Sequence, residues 1–294
     1  MESVTPAASV ARENEEATEA WSGVLFERFV EFREEIVAGM AQFGDEAMRL
    51  YPPKRGGRAL DIGCGFGDTT QALARLVGPE GDAVGIDVSE PFVTTASGEA
   101  REAGVANVRF LAGDVQVMDL PGPFDYAFSR MGVMFFANPV AALRNVREAL
   151  APGGRLCVVV WRRKLDNPWV DRAERVTERY LEEPEETDEP TCGPGPFSMA
   201  DADTVSHQLM IAGFESPSFT RVDRPIKLGD DLDRAVAMNM ALGPAAELIR
   251  LAGDEAERVR PQLERDIRDV LADFVEPEGV FGPASTWIVS ATAP

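Results

Sequence analysis

Basic residues are scarce in this chain. Across 294 residues, 29 Lys and Arg stand against 50 Asp and Glu, a formal charge of −21. Such a surface repels polyanions, so a general basic face for nucleic acid or anionic lipid is excluded and no nucleic-acid partner is expected. Histidine is nearly absent, with His207 alone. The three cysteines, Cys64, Cys157 and Cys192, are widely spaced, odd in number and form no Cys-x-x-Cys pair. That pattern predicts reduced thiols rather than a disulfide framework, and no metal site. There is no apolar run of about 18 residues, so no membrane span is expected. Residues 1–14 lack a basic-then-apolar leader, and we expect them to fray in a cytoplasmic protein. What is plentiful is apolar content, 45%. It is enough to fill the core of one large domain or of a domain plus a lid.

The pattern of the chain is alternation. Leu25, Phe29, Phe32, Ile36, Met40, Phe43, Ala47 and Leu50 recur every three or four residues. This spacing predicts one helix over 23–50 with Trp21 just before it. Prolines 52 and 53 and glycines 56 and 57 then break the chain. Strands are predicted at 58–62, 83–87, 107–111, 124–129 and 155–161, with helices at 67–77, 90–103 and 139–150 between them. Residues 156–160 form a near-unbroken apolar run, as expected of a strand covered on both faces. The alternation specifies a doubly wound parallel sheet, with ligands at the carboxyl ends of its strands. Further on we expect a helix from about 168 to 181, an acidic, proline-rich loop at 182–196, a helix at 202–212 and a strand at 218–222. Two or three helices over 230–274 and a final strand at 287–291 complete the reading. The expected organisation is a helical cap at 1–55, a ligand-binding core at 56–164, and a C-terminal part at 165–294 that completes the sheet and carries a lid or interface at about 230–275.

The first strand runs into Asp61-Ile62-Gly63-Cys64-Gly65-Phe66-Gly67-Asp68. Glycines at alternate positions let backbone approach a ligand, and the following helix offers unpaired N–H groups. A dinucleotide is one candidate, but Asp68 falls in the wrong place and would repel a pyrophosphate. S-adenosylmethionine carries an ammonium and a sulfonium and no phosphate, which suits Asp61 and Asp68 better. Asp87 ends the second strand, where a carboxylate can hold both ribose hydroxyls, or else cap the next helix. Asp114 and Val115 follow the third strand, placed to serve adenine or to form an Asx turn. Ser129, Arg130 and Met134 follow the fourth. Arg130 could meet an acidic group or a developing oxyanion of a substrate, or simply pair with a nearby carboxylate. His207 lies two residues from the apolar position Val205 and so faces outward on its helix. Trp21, Met134, Asn167 and Trp169 are candidates for the wall of a substrate pocket, with core packing the alternative for each tryptophan.

The segments Leu60–Gly67, Gly85–Asp87, Gly113–Val115 and Leu150–Leu156 together resemble the ordered motifs of class I S-adenosylmethionine-dependent methyltransferases. Within that superfamily the chain is similar to the small-molecule group that includes ubiquinone- and menaquinone-type enzymes. The resemblance covers 60–161 well. It implies a Rossmann-like α/β fold of seven strands in the order 3-2-1-4-5-7-6, the last antiparallel, with an N-terminal helix and a helical insertion before the last strand. It further implies that Asp61, Gly63, Cys64 and Gly65 line the methionine part of the cofactor. Asp87 and Val88 would then meet the ribose, Asp114 and Val115 the adenine, and Ser129 the methionine end. The implied activity is methyl transfer to O, N or C of a small, partly aromatic molecule, by a chain that could be a homodimer. A non-catalytic cofactor-binding regulator or scaffold and an NAD-type oxidoreductase remain as alternatives.

Overall fold

In a computed structural model that describes residues 10–182 and 193–294, the predicted strands join one sheet. Strands β1 (Arg58–Ile62), β2 (Asp82–Asp87), β3 (Val108–Ala112), β4 (Phe124–Arg130) and β5 (Leu150–Trp161) run parallel. Two long strands, β6 (Glu215–Gly229) and β8 (Gly279–Thr292), complete it. β8 lies antiparallel to both β5 and β6. The order is β3-β2-β1-β4-β5-β8-β6, with a two-residue strand, β7 (Val275–Glu276), folded back on the start of β8. The expected order therefore holds, with β8 as the strand read from sequence as the seventh and β7 as an addition. Leu156 through Val160 are all at most 1% exposed, which explains the unbroken apolar run of β5.

Four helices cover the faces of the sheet: α4 (Asp68–Val77), α5 (Glu90–Glu102), α6 (Pro139–Ala149) and α8 (Ala202–Ala212). The Asp201 side chain accepts from Thr204 N at 2.8 Å and caps α8. His207 is exposed on that helix, as the spacing from Val205 requires. The strand order reverses between β1 and β4, so their carboxyl ends flank the crevice where open α/β sheets bind ligands.

The structure departs from the sequence reading at both ends of the chain. The predicted helix over 23–50 is two helices, α2 (Val24–Glu31) and α3 (Arg33–Leu50), and a further helix, α1 (Glu15–Ser22), precedes them and contains Trp21. Breaks fall at Gly23 and Phe32, whose backbones leave the helical region. The bends split the apolar stripe between two jobs. Phe43 and Ala47 are fully buried against the sheet, whereas Phe29, Ile36 and Met40 line a cavity. Residues 11–14 do not fray: Ala11 N donates to Asp114 Oδ2 at 3.0 Å, and Ala11 and Asn14 are buried. The strands predicted at 218–222 and 287–291 are the first part of the longer β6 and the last part of the longer β8. Serine, proline and glycine in their flanks hid the pairing that the hairpin supplies.

Between β6 and β8 stand α9 (Leu232–Ala241), α10 (Pro244–Ala252) and α11 (Asp254–Leu271). Asp231 caps α9 by accepting from Arg234 N at 2.8 Å, and Gly243-Pro244 opens α10 with proline at the first helical position. α11 packs on α7 (Pro168–Thr177), and α9 packs on β6. Among the described residues, no helix is long and apolar enough to cross a membrane.

Candidate active site

The cavity opens at the carboxyl ends of β1, β2 and β4 and encloses about 890 Å³. That volume is at the upper end of the range for small-molecule sites. One end is the glycine loop. Gly65 has φ +50°, and a Cβ added there would meet no atom within 4 Å. The loop thus leaves an open backbone face toward the cavity, and the left-handed conformation suits glycine alone. Gly67 is tight: with φ +78°, its Cβ would lie 2.7 Å from the Phe110 ring and 2.8 Å from the Ala96 methyl. Gly67 caps α4, so this close packing sets where the helix begins.

Asp87 faces the loop from β2. Its Oδ2 accepts from Gly65 N at 2.9 Å and its Oδ1 from Ser89 N at 3.0 Å. Each oxygen keeps a further lone pair. Burial raises its pKa, and the two backbone bonds lower it in part. Asp87, Val88, Gly63, Cys64, Gly65 and Val115 all line the cavity, as expected. Burial, with the Asp87 and Asp61 charges added, pushes the Cys64 thiol pKa well above its ordinary value, which disfavours the thiolate.

Other expected positions sit behind the wall. Asp61 is fully buried; its Oδ2 accepts from Thr70 Oγ1 at 2.6 Å and Thr69 Oγ1 at 2.7 Å, and its Oδ1 has no partner. Desolvation raises its pKa to about 6. Asp114 is 1% exposed and engaged by Ala11 N, Gln116 N and Gln116 Nε2, so it anchors the N-terminal segment rather than facing the cavity. Ser129 is fully buried and donates to Ile62 O at 2.7 Å, stitching β4 to β1 instead of facing a methionine group.

Asn167 is also no pocket wall. Its side chain is fully buried, accepts from Ser285 N at 2.9 Å and donates to Arg163 O at 3.0 Å. It ties the start of α7 to β8. Asn167→Ala should destabilise the fold by about 2–3 kcal/mol, leaving buried backbone groups unpaired, without changing ligand affinity. A urea midpoint and a cofactor titration on the same variant check both halves.

Arg130 is not a free cation. Its guanidinium makes a two-pronged ion pair with Asp68, at 2.9 and 3.1 Å, and its side chain is 11% exposed. The pair explains both residues. It neutralises the carboxylate that the sequence reading set against a pyrophosphate, so charge at Asp68 does not discriminate between the two cofactors. Met131, next to Arg130, has φ +63°, a strained conformation for a side-chain-bearing residue at the edge of the cavity.

Trp21, Met134 and Trp169 line the same cavity, as does Arg130. Trp21 packs edge-on against Phe29 and Phe135, and Trp169 against Trp161. Several further lining residues were not read from sequence as site residues, although Leu25 belongs to the apolar stripe. Leu25, Arg28, Met238 and Leu242 come from α2, α9 and the turn after α9. Lys164 and Glu174, paired at 2.6 Å, bring opposite charges from beyond β5 and from α7. Gly193–Ser198 also reach the cavity. Cys192 and most of the acidic loop lie outside the described residues. Nothing in the local spacing of these segments marks them, because the bends that converge them are set by packing.

A sheet with this order, a glycine loop at its switch point and an acidic residue closing the second strand define a methyltransferase-type α/β protein. Residues 53–214 match the methyltransferase domain family, and the chain belongs to it. S-adenosylmethionine is the methyl donor of this class. The chain is 36% identical to the demethylmenaquinone methyltransferase of Staphylococcus carnosus, over 36% of this chain and 44% of that protein. It is 32% identical to the enzyme of the same name from Geobacillus kaustophilus, over 45% of this chain and 53% of that protein. It therefore spans about half the length of the curated relatives it matches. Among solved structures, the YcgJ protein of Bacillus subtilis superposes with a TM-score of 0.56 at 18% identity, covering 86% of this chain and 98% of that one. A SAM-dependent methyltransferase of Thermotoga maritima gives 0.50 at 17% identity, covering 92% and 98%. At these identities the likeness is one of fold.

Proposed function

We propose that this chain transfers the methyl group of S-adenosylmethionine to an O, N or C atom of a small, partly aromatic molecule. The observation that carries the reading is continuity. The glycine loop and Asp87 open into the same cavity as an apolar chamber walled by α2, α9 and the β4 end. A cofactor seated on the loop would present its reactive end to that chamber.

The residues present suit the cofactor. The open face at Gly65 admits backbone contact, and the remaining lone pairs of Asp87 can accept from ribose hydroxyls. The unpartnered Oδ1 of Asp61 lies behind the loop and not on the cavity wall, so its carboxylate would act on an ammonium through its charge or a bridging water. The adenine would rest against Gly113 and Val115. Asp114 would serve its amine only by giving up Ala11, so we assign that contact to backbone. Asp87→Ala should weaken S-adenosylhomocysteine binding by about 1–3 kcal/mol, as hydrogen bonds to a charged group are lost. Unchanged affinity in a folded variant, read by calorimetry, would remove Asp87 from the site.

When bound, the cofactor supplies a methyl already activated on sulfur. What remains for the protein is to align the acceptor in line with it and to exclude water. Trp21, Phe29, Met40 and Phe135 supply the dry wall, and the Arg130–Asp68 pair fixes the β4 end against the loop. Lys164 and Glu174 add a second ion pair to the cavity lining.

Two measurements test the proposal. Calorimetry with S-adenosylmethionine, S-adenosylhomocysteine and NAD should give binding of the first two only. A tritiated-methyl transfer screen across small aromatic metabolites should give at least one labelled product. Binding without any transfer would favour a regulatory subunit.

A further inference from the structure

The chamber holds several charged side chains, and among the described residues all but one of its cations are in ion pairs. Arg130 is paired with Asp68 and Lys164 with Glu174. Arg28, on α2, lines the same cavity and makes no ion pair among the described residues. Its one hydrogen bond runs from Nη1 to the carbonyl of Ala241, the last residue of α9, at 3.2 Å. Nε and Nη2, the edge that grips a carboxylate with two parallel bonds, are not engaged by described residues. The nearby carboxylates are committed elsewhere. Glu247 is held by both Nε and Nη2 of Arg250, at 3.0 and 2.9 Å, and Glu31 lies 3.9 Å from Arg234. Burial, with repulsion from Arg250 second, lowers the Arg28 pKa from its ordinary value.

A half-buried guanidinium in an apolar chamber is costly unless something compensates it. The chain carries 50 acidic residues, yet none of those described pairs with this one; Glu247 and Glu31 attract it only from a distance and do not outweigh its burial. The Ala241 carbonyl, at the negative end of α9, offsets part of the charge and leaves the gripping edge open.

We propose that Arg28 is an anion-recognition residue for the acceptor. The molecule methylated here would then have an apolar, partly aromatic body and a single anionic group, a carboxylate, sulfonate or phosphate, that docks on Arg28 at the α2–α9 seam. This rests on the reading of the chamber as the acceptor site. It narrows that reading from small aromatic molecules in general to acidic ones.

Two dyes of similar shape test it, anilinonaphthalene sulfonate and the neutral N-phenylnaphthylamine. Both are titrated by fluorescence into full-length protein saturated with S-adenosylhomocysteine. Wild type should bind one sulfonate dye per chain, at least tenfold tighter than the neutral dye. Arg28→Gln keeps a donor for Ala241 and removes the charge. It should weaken the sulfonate dye about 10- to 100-fold and change the neutral dye by less than twofold. Arg28→Lys should fall between, since an ammonium keeps the charge but not the fork. S-adenosylhomocysteine affinity should be the same in all three proteins. Equal losses for both dyes would make Arg28 a latch between α2 and α9 and overturn the proposal. So would an unchanged sulfonate affinity, or no one-to-one complex with wild type. Failure of wild type to bind S-adenosylhomocysteine would instead sink the methyltransferase reading itself.

Discussion

Asp61→Asn should weaken S-adenosylhomocysteine binding about 10- to 100-fold while leaving the unliganded protein at least as stable as wild type at pH 7.5. The two effects have one cause, a buried carboxylate with an unpartnered oxygen. In the folded protein its pKa is raised to about 6 from 3.8. For an acid the sign is then the reverse of the usual one. Between pH 3.8 and 6 the folded state holds a proton that the unfolded chain has released, so stability is highest below this window and declines as pH rises through it. The decline amounts to roughly 3 kcal/mol at the conversion of 1.36 kcal/mol per pH unit. Ligand affinity moves in the opposite sense. An ammonium needs the ionised carboxylate, so affinity should fall by up to tenfold per pH unit below about 6 and level off above it. Subtracting the variant's urea stability from that of wild type across pH 4–8 cancels every other group. A flat difference curve, or an Asp61→Asn protein that binds the ligand normally, would refute the assignment.

Gly67→Ala and Gly65→Ala should separate folding from binding within a single loop. At Gly67 the added methyl meets the Phe110 ring and Ala96 below 3 Å, in a left-handed backbone. Left-handed strain of about 1–2 kcal/mol and overpacking of about 1–3 kcal/mol act together. That is a large share of the stability of an ordinary domain, and we expect Gly67→Ala to express poorly or melt far below wild type. At Gly65 only the strain applies, because no atom lies within 4 Å of the new methyl. Gly65→Ala should fold, with a loss of about 1–2 kcal/mol, and bind S-adenosylhomocysteine at least tenfold more weakly as the methyl enters the cofactor's approach. Thermal melts paired with calorimetry give both readings. Normal cofactor affinity in Gly65→Ala would mean that the cofactor does not approach the loop at this point.

The core of the fold was legible in the sequence because its signals are local. β1, β2 and β3 are short runs closed by a glycine or an aspartate, and the loop glycines mark left-handed turns that strain any residue with a side chain. Contacts between distant segments were not legible. Asp114 reads as an adenine acceptor by its place after β3, yet its partner is Ala11 N, 103 residues away. Ser129 and Asn167 sit at strand and helix ends where a ligand would lie, but their side chains turn inward to bond Ile62 O and Ser285 N. The pairing of Arg130 with Asp68 spans 62 residues. Each of these choices depends on which way a side chain points at the end of an element, and periodicity carries no information about that. Arg28 was missed for a related reason. It occupies a polar position within an apolar stripe, and only the bend at Phe32 and the arrival of α9 turn it into a cavity residue.

The N-terminal segment is fastened at both ends of the cavity. Toward the glycine loop, Ala11 N bonds Asp114, and Ser89 Oγ donates to the Trp21 carbonyl at 3.1 Å. Toward the chamber, Arg28 reaches Ala241, and Glu35 accepts from Arg234 of α9. One strip of chain therefore borders both the proposed donor site and the proposed acceptor site. Two ligands that share such a border are thermodynamically linked: the factor by which one tightens the other must be the same in both directions. The affinities of the two sites are thus not independent quantities. A substitution that shifts the backbone of this strip, unlike an exchange confined to the Arg28 guanidinium, should also reset the balance between the methyl donor and its demethylated product, and with it the tendency of that product to stay bound and inhibit.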